Sequence, residues 1–145
     1  MRFVLALGIG ALVVAVMATT GPAVLSAQGG GSTADGVFSE AQAARGMPVA
    51  IAECGSCHGA TLTGGDFAPG ISGADFFGRW EGESLSTLVT KVTDTMPLNA
   101  PGSLSPAQYS DIVAYMLESS GYPAGGNEFD VAAAANESVT ISAAP

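Results

Sequence analysis

"AECGSCHGATL", residues 52–62, holds both cysteines of the chain, Cys54 and Cys57, and its only histidine, His58. A packed core makes no such demand, so the clustering points to chemistry. A disulfide, a zinc site, a redox dithiol or a covalently held haem each place soft ligands this close. Structural zinc takes four ligands; three are present, and the adjacent Cys57 and His58 do not easily reach one tetrahedral ion. A thioredoxin-like dithiol follows a strand–helix unit, and no such pattern precedes Cys54. The remaining reading is c-type haem attachment, for which Cys-x-x-Cys-His is the direct signature. One turn of chain sets two thiols against the two vinyl groups on one porphyrin edge, and His58 then lies beneath the ring with a nitrogen aimed at iron.

The rest of the chain agrees with that reading. Its 145 residues suit one small domain. Residues 1–27 read as a secretory signal: Arg2, an apolar run from Phe3 to Ala18, the breaker Gly21-Pro22, and small residues before a cleavage point after Ala27. The apolar run is shorter than the ~20 residues of a membrane span, so cleavage is expected rather than anchoring, and export places the chain in the periplasm. The mature chain then carries three basic side chains, Arg45, Arg79 and Lys91, against thirteen acidic ones. That balance argues against nucleic acid and anionic membrane surfaces as partners.

Three segments follow the signal: a flexible glycine-rich lead-in at 28–37, an ordered domain at 38–126 with three helices joined by irregular chain, and a tail at 127–145. Ser39 and Gln42 have capping-box spacing, which predicts a helix from Glu40 toward Cys54, with Pro48 kinking or restarting it. Residues 59–82 hold seven glycines and Pro69 and read as a long loop, which a compact domain keeps only when it wraps something. A second helix is predicted from about Ser84 to Asp94, on the stripe Leu85, Leu88, Val89 and Val92. The last begins at Ser105, with Pro106 in its first position and Gln108 completing a capping box. Its apolar stripe is Tyr109, Ile112, Val113, Met116 and Leu117, and Gly121 is its stop. "SVTIS" (138–142) is strand-like with no partner strand, so the tail is expected to be disordered or laid on a partner. Three short helices make a thin core, which a large apolar cofactor would complete.

With His58 used on one face of the iron, a thioether is the remaining soft ligand for the other. Met116 lies on the last helix's apolar stripe, and Met47 is too near the attachment helix to cross the ring. Met96, 38 residues after His58 and followed by Pro97, has the reach and a stiff loop. An iron left five-coordinate would instead bind or transform a ligand.

"ECGSCHG", "APGISG", "FFGRW", "TMPLNAPGSLS" and "YSDIVAYML" occur in an order that resembles the class I cytochromes c. The likeness extends from about Phe38 to Phe129 and is greatest to the single-haem type associated with periplasmic quinoprotein alcohol dehydrogenases. The resemblance implies an all-α fold, three to four helices wrapped around one covalent haem c. It implies Cys54 and Cys57 as the covalent attachments and His58 and Met96 as axial ligands. Pro69 corresponds to a proline whose carbonyl holds the histidine's other ring nitrogen, Trp80 to an aromatic that closes the pocket and bonds a propionate, and Tyr115 to an aromatic packing near Gly46. Ala50 stands where the family often has an aromatic. The expected function is single-electron transfer from a periplasmic dehydrogenase to an oxidase or another cytochrome, without enzymatic chemistry of its own. The alternatives are a docking subunit of a stable dehydrogenase complex, and a haem enzyme or gas sensor with an open iron site.

Overall fold

The computed structural model describes residues 31–143, so the signal segment at 1–27 lies outside the described residues. Four helices carry the fold: α1 (Glu40–His58), α2 (Gly73–Trp80), α3 (Leu85–Thr95) and α4 (Pro106–Ser119). The fold is all-α, and pairing outside the helices is confined to isolated bridges among the described residues. No helix among them is long and apolar enough to cross a membrane.

α1 and α4 form the central crossing. Their facing surfaces are small on one side and large on the other: Ala43, Gly46 and Ala50 of α1 are buried, as are Ile112, Val113, Met116 and Leu117 of α4. A Cβ on Gly46 would fall inside the van der Waals envelope of the Asp111 carbonyl oxygen and 3.1 Å from Tyr115 Cβ. The backbones therefore touch where Gly46 leaves room, and buried Ala50 keeps the approach close where an aromatic would hold the helices apart. Arg45 ties the same crossing from outside, 3.0 Å from Asp111 and 2.9 Å from Glu128. These hydrogen bonds, first to Glu128 and then to Asp111, raise the guanidinium pKa further. An exposed cluster of this kind contributes little stability.

α1 runs through Pro48 as one helix, so the expected restart does not occur there. The proline removes one helix hydrogen bond, to the Ala44 carbonyl. Both residues are exposed, so water can serve that acceptor.

The stretch 59–82 is not one loop, because α2 occupies its second half. Glycine at its first position obscures the helix in the sequence, whereas Phe76 and Trp80, one turn apart, are both buried. Phe76 and Phe77 pack edge-on against Tyr122, with ring centroids 6.1 and 5.8 Å away.

The tail lies on its own domain, which replaces the expectation of a disordered or partner-bound segment. Thr140 bridges Ser32 of the lead-in on one side and Ser84, the N-cap of α3, on the other. The Ile141 N–H donates to the Glu83 carbonyl at 2.9 Å, and the Leu85 N–H to the Val139 carbonyl at 2.8 Å. "SVTIS" thus finds two single-residue partners instead of a strand, and its alternation turns Ile141 fully inward. The described part of the lead-in, residues 31–37, is held for the same reason, with Thr33 buried and Ser32 and Asp35 forming a capping box.

Gln42 holds the tail to α1. Ser39 Oγ caps the Gln42 N–H, but the Gln42 side chain does not return to Ser39 as a capping box requires. It is buried, donating from Nε2 to the Phe129 carbonyl at 2.6 Å and accepting the Phe129 N–H at 2.7 Å. Gln42→Ala strands both backbone groups in the interior, at a cost of about 3 kcal/mol. Urea unfolding is expected to give an unfolding free energy lower by that amount and a correspondingly lower midpoint, and a midpoint equal to the parent's would contradict the clamp.

Candidate haem-binding site

The last turn of α1 presents Cys54, Cys57 and His58. Residues three apart on a helix share a face, so the two sulfurs project to one side of the helix end. Both thiols are free; Cys54 is half-buried and Cys57 exposed. Burial pushes the Cys54 thiol up to about 11, with smaller contributions in the same direction from Glu53 and Cys57.

His58 is fixed by the loop that follows. Its Nδ1 lies 2.7 Å from the Pro69 carbonyl oxygen. A carbonyl only accepts, so Nδ1 carries the proton and Nε2 keeps its lone pair for a metal. The loop is braced to bring Pro69 there. The Gly64 N–H donates to the His58 carbonyl at 2.9 Å, and the Ile71 N–H to the Leu62 carbonyl at 2.8 Å. Leu62 is fully buried at φ 59°, a backbone conformation held by that bond and by the Ser72 hydroxyl at 3.0 Å. A Cβ on Gly65 would come 2.7 Å from the Cys57 carbonyl oxygen, so a side chain there pushes the loop off the attachment turn.

Met96 is the C-cap of α3 and is half-buried. The Tyr109 hydroxyl donates to its carbonyl at 2.6 Å, tying the loop after α3 to α4. Trp80 ends α2 and packs into the core at 9% exposure. Its indole N–H bonds no group among the described residues, yet is not sealed from solvent. The structure thus brings His58 and Pro69 into direct contact. It joins Met96 and Trp80 to the attachment turn by no hydrogen bond among the described residues.

These residues fit a large, flat, apolar group with an iron centre. One imidazole nitrogen is oriented with its lone pair available, two free thiols stand beside it, and an indole N–H lacks a partner among the described residues. Ile71, Phe77, Val92 and Leu104 are part-exposed apolar side chains packed against the core. Sequence reasoning missed Asp75 and Tyr109 as loop supports. The Ser72-x-x-Asp75 spacing signals the start of α2, although Ser72 bonds the Leu62 carbonyl instead of capping.

The family model described as "Cytochrome C oxidase, cbb3-type, subunit III" matches residues 41–116, just over half of the chain. The chain belongs to this cytochrome c family. The matched span runs from the start of α1 into α4, so it contains the attachment turn, the Pro69 loop and Met96. Among solved structures, this cytochrome is similar to the sulfane dehydrogenase SoxCD from Paracoccus pantotrophus, at 25% identity and a TM-score of 0.49. The alignment covers 86% of the cytochrome and 63% of that chain, so the cytochrome spans less than two thirds of its length. No curated protein matches.

Proposed function

We propose that this cytochrome is a single-electron carrier with one haem c, attached through Cys54 and Cys57 and ligated by His58 and Met96. The observation that carries the proposal is the 2.7 Å approach of His58 Nδ1 to the Pro69 carbonyl at the end of a Cys-x-x-Cys-His turn. It fixes the tautomer and aim of the ring before any metal arrives, as metal-ligating histidines require. The haem supplies a one-electron couple at its iron. The chain's part is to hold two ligands still while that charge changes. The Pro69 loop does so for His58, and Tyr109 does so for the segment carrying Met96. Trp80 offers its indole N–H to a propionate.

The membership favours electron transfer over catalysis. The donor is a periplasmic dehydrogenase of the quinoprotein kind and the acceptor an oxidase or another cytochrome. Residues 1–27 direct export and are removed in the course of it, and a mature chain beginning at Gln28 would support this. The tail's attachment to its own domain leaves the carrier reading ahead of the docking-subunit reading.

Met96→Ala tests the ligand set. The variant is expected to keep its covalent haem, show a lower reduction potential, since a thioether ligand raises it, and bind carbon monoxide to full occupancy when reduced. A variant with unchanged potential and no carbon monoxide adduct would assign the sixth position to another residue.

A further inference from the structure

The peptide group joining Pro69 to Gly70 is bonded on both sides. Its carbonyl faces His58 Nδ1 at 2.7 Å, and its N–H donates to Asp75 Oδ2 at 2.8 Å. Imidazole N–H, one amide and one carboxylate therefore stand in series. We propose that Asp75 is a positioning residue that sets the electron density of His58, and so lowers the haem's reduction potential, through this single amide. The proposal rests on His58 as the axial ligand.

Hydrogen bonds in series polarise one another, by about 10–30% per bond, and a bond to an ionised group is roughly twice as strong as a neutral one. A carboxylate on the amide N–H drives charge onto the amide oxygen. That oxygen then draws the His58 Nδ1 proton harder and leaves Nε2 more basic. A more basic ligand favours the more highly charged, oxidised iron.

The arrangement is built into the loop. Asp75 is in the first turn of α2, where a carboxylate is favoured by the helix end, yet its Oδ2 turns out to Gly70. A Cβ on Gly70 would meet the Thr63 carbonyl carbon at 2.8 Å and Asp75 Oδ2 at 3.0 Å, so the approach needs glycine. No ion pair among the described residues neutralises Asp75. Its charge is therefore available to the amide.

The test uses the haem-loaded full chain with Asp75→Asn, Asp75→Glu and Glu40→Gln. Asparagine keeps the shape and an acceptor oxygen but removes the charge. Asp75→Asn is expected to shift the oxidation equilibrium toward the reduced form about tenfold, ~59 mV for one electron. Asp75→Glu is expected to stay near the parent. Glu40→Gln, about 27 Å away along α1, is expected to change it less than about twofold, since screening acts over ~10 Å. The His58 Nδ1 proton resonance of the reduced protein is expected to move upfield in Asp75→Asn, as its hydrogen bond weakens. An Asp75→Asn protein with the parent's potential and an unmoved resonance would overturn the relay and leave Asp75 a brace for the loop. Absence of any haem-ligated His58 resonance in the parent would instead remove the ligand assignment, and the relay with it.

Discussion

Gly46→Ala is expected to lower the stability of the folded cytochrome by at least about 3 kcal/mol. The added methyl group would occupy the space of the Asp111 carbonyl, and backbone cannot swing aside as a side-chain end can. α1 and α4 must therefore separate along the whole crossing, loosening Ile112, Val113 and Met116 from Ala43 and Ala50. At about 4–8 °C per kcal/mol for a domain of this size, the melting temperature falls by more than ~12 °C. Gly78→Ala is the matched control, because its Cβ would meet nothing within 4 Å and it lies inside α2. That change is expected to be neutral or to stabilise by up to about 1 kcal/mol. Circular dichroism of both variants decides the matter. A Gly46→Ala protein that melts with the parent would show that the helices do not meet at Gly46.

Cys54→Ser together with Cys57→Ser is expected to abolish covalent attachment completely. A serine hydroxyl lacks the thiol chemistry that adds to a vinyl group, and no other cysteine exists to replace it. Haem should then leave the polypeptide in acid and organic solvent, and a denaturing gel stained for haem peroxidase activity should show no band. Either single variant should keep one bond and therefore its band, with the pyridine haemochrome moved to longer wavelength by the unreacted vinyl. Haem retained through denaturation by the double variant would contradict attachment at this turn. The two cysteines need not contribute equally, since Cys54 is partly buried in the margin of the core and Cys57 faces solvent.

Elements with local punctuation were legible in the sequence. Ser105, Pro106 and Gln108 mark the start of α4 to the residue, Ser39 does the same for α1, and the expected start of α3 at about Ser84 lies one residue before its first residue, Leu85. α2 is only faintly legible: the Ser72-x-x-Asp75 spacing is its one local mark, its glycines suggest loop, and what holds it is the burial of Phe76 and Trp80 against segments distant in sequence. Gln42 shows how one residue can satisfy two patterns. Its backbone completes a cap, while its side chain answers to Phe129, 87 residues away. The place of the tail is not visible in its pattern, because a strand-like run implies a second strand, whereas the chain supplies isolated partners at Ser32 and Ser84.

The site divides along similar lines. The attachment turn is a local motif and reads directly. The Pro69 contact, eleven residues from His58, follows from resemblance and not from spacing. Asp75 was invisible for a physical reason: it reaches His58 through a backbone amide, and no pattern of side-chain types records which amide a loop will offer.

Fixed ligation on both faces of the iron is the central claim, and the absorption spectrum of the reduced native protein tests it most directly. Spectra are recorded before and after carbon monoxide is added, with Met96→Ala as the positive control. With His58 and Met96 both bound, the native spectrum is expected to stay unchanged while the control converts fully. Rapid formation of a carbon monoxide adduct by the native protein would contradict the account, placing an open coordination site where a held methionine is proposed.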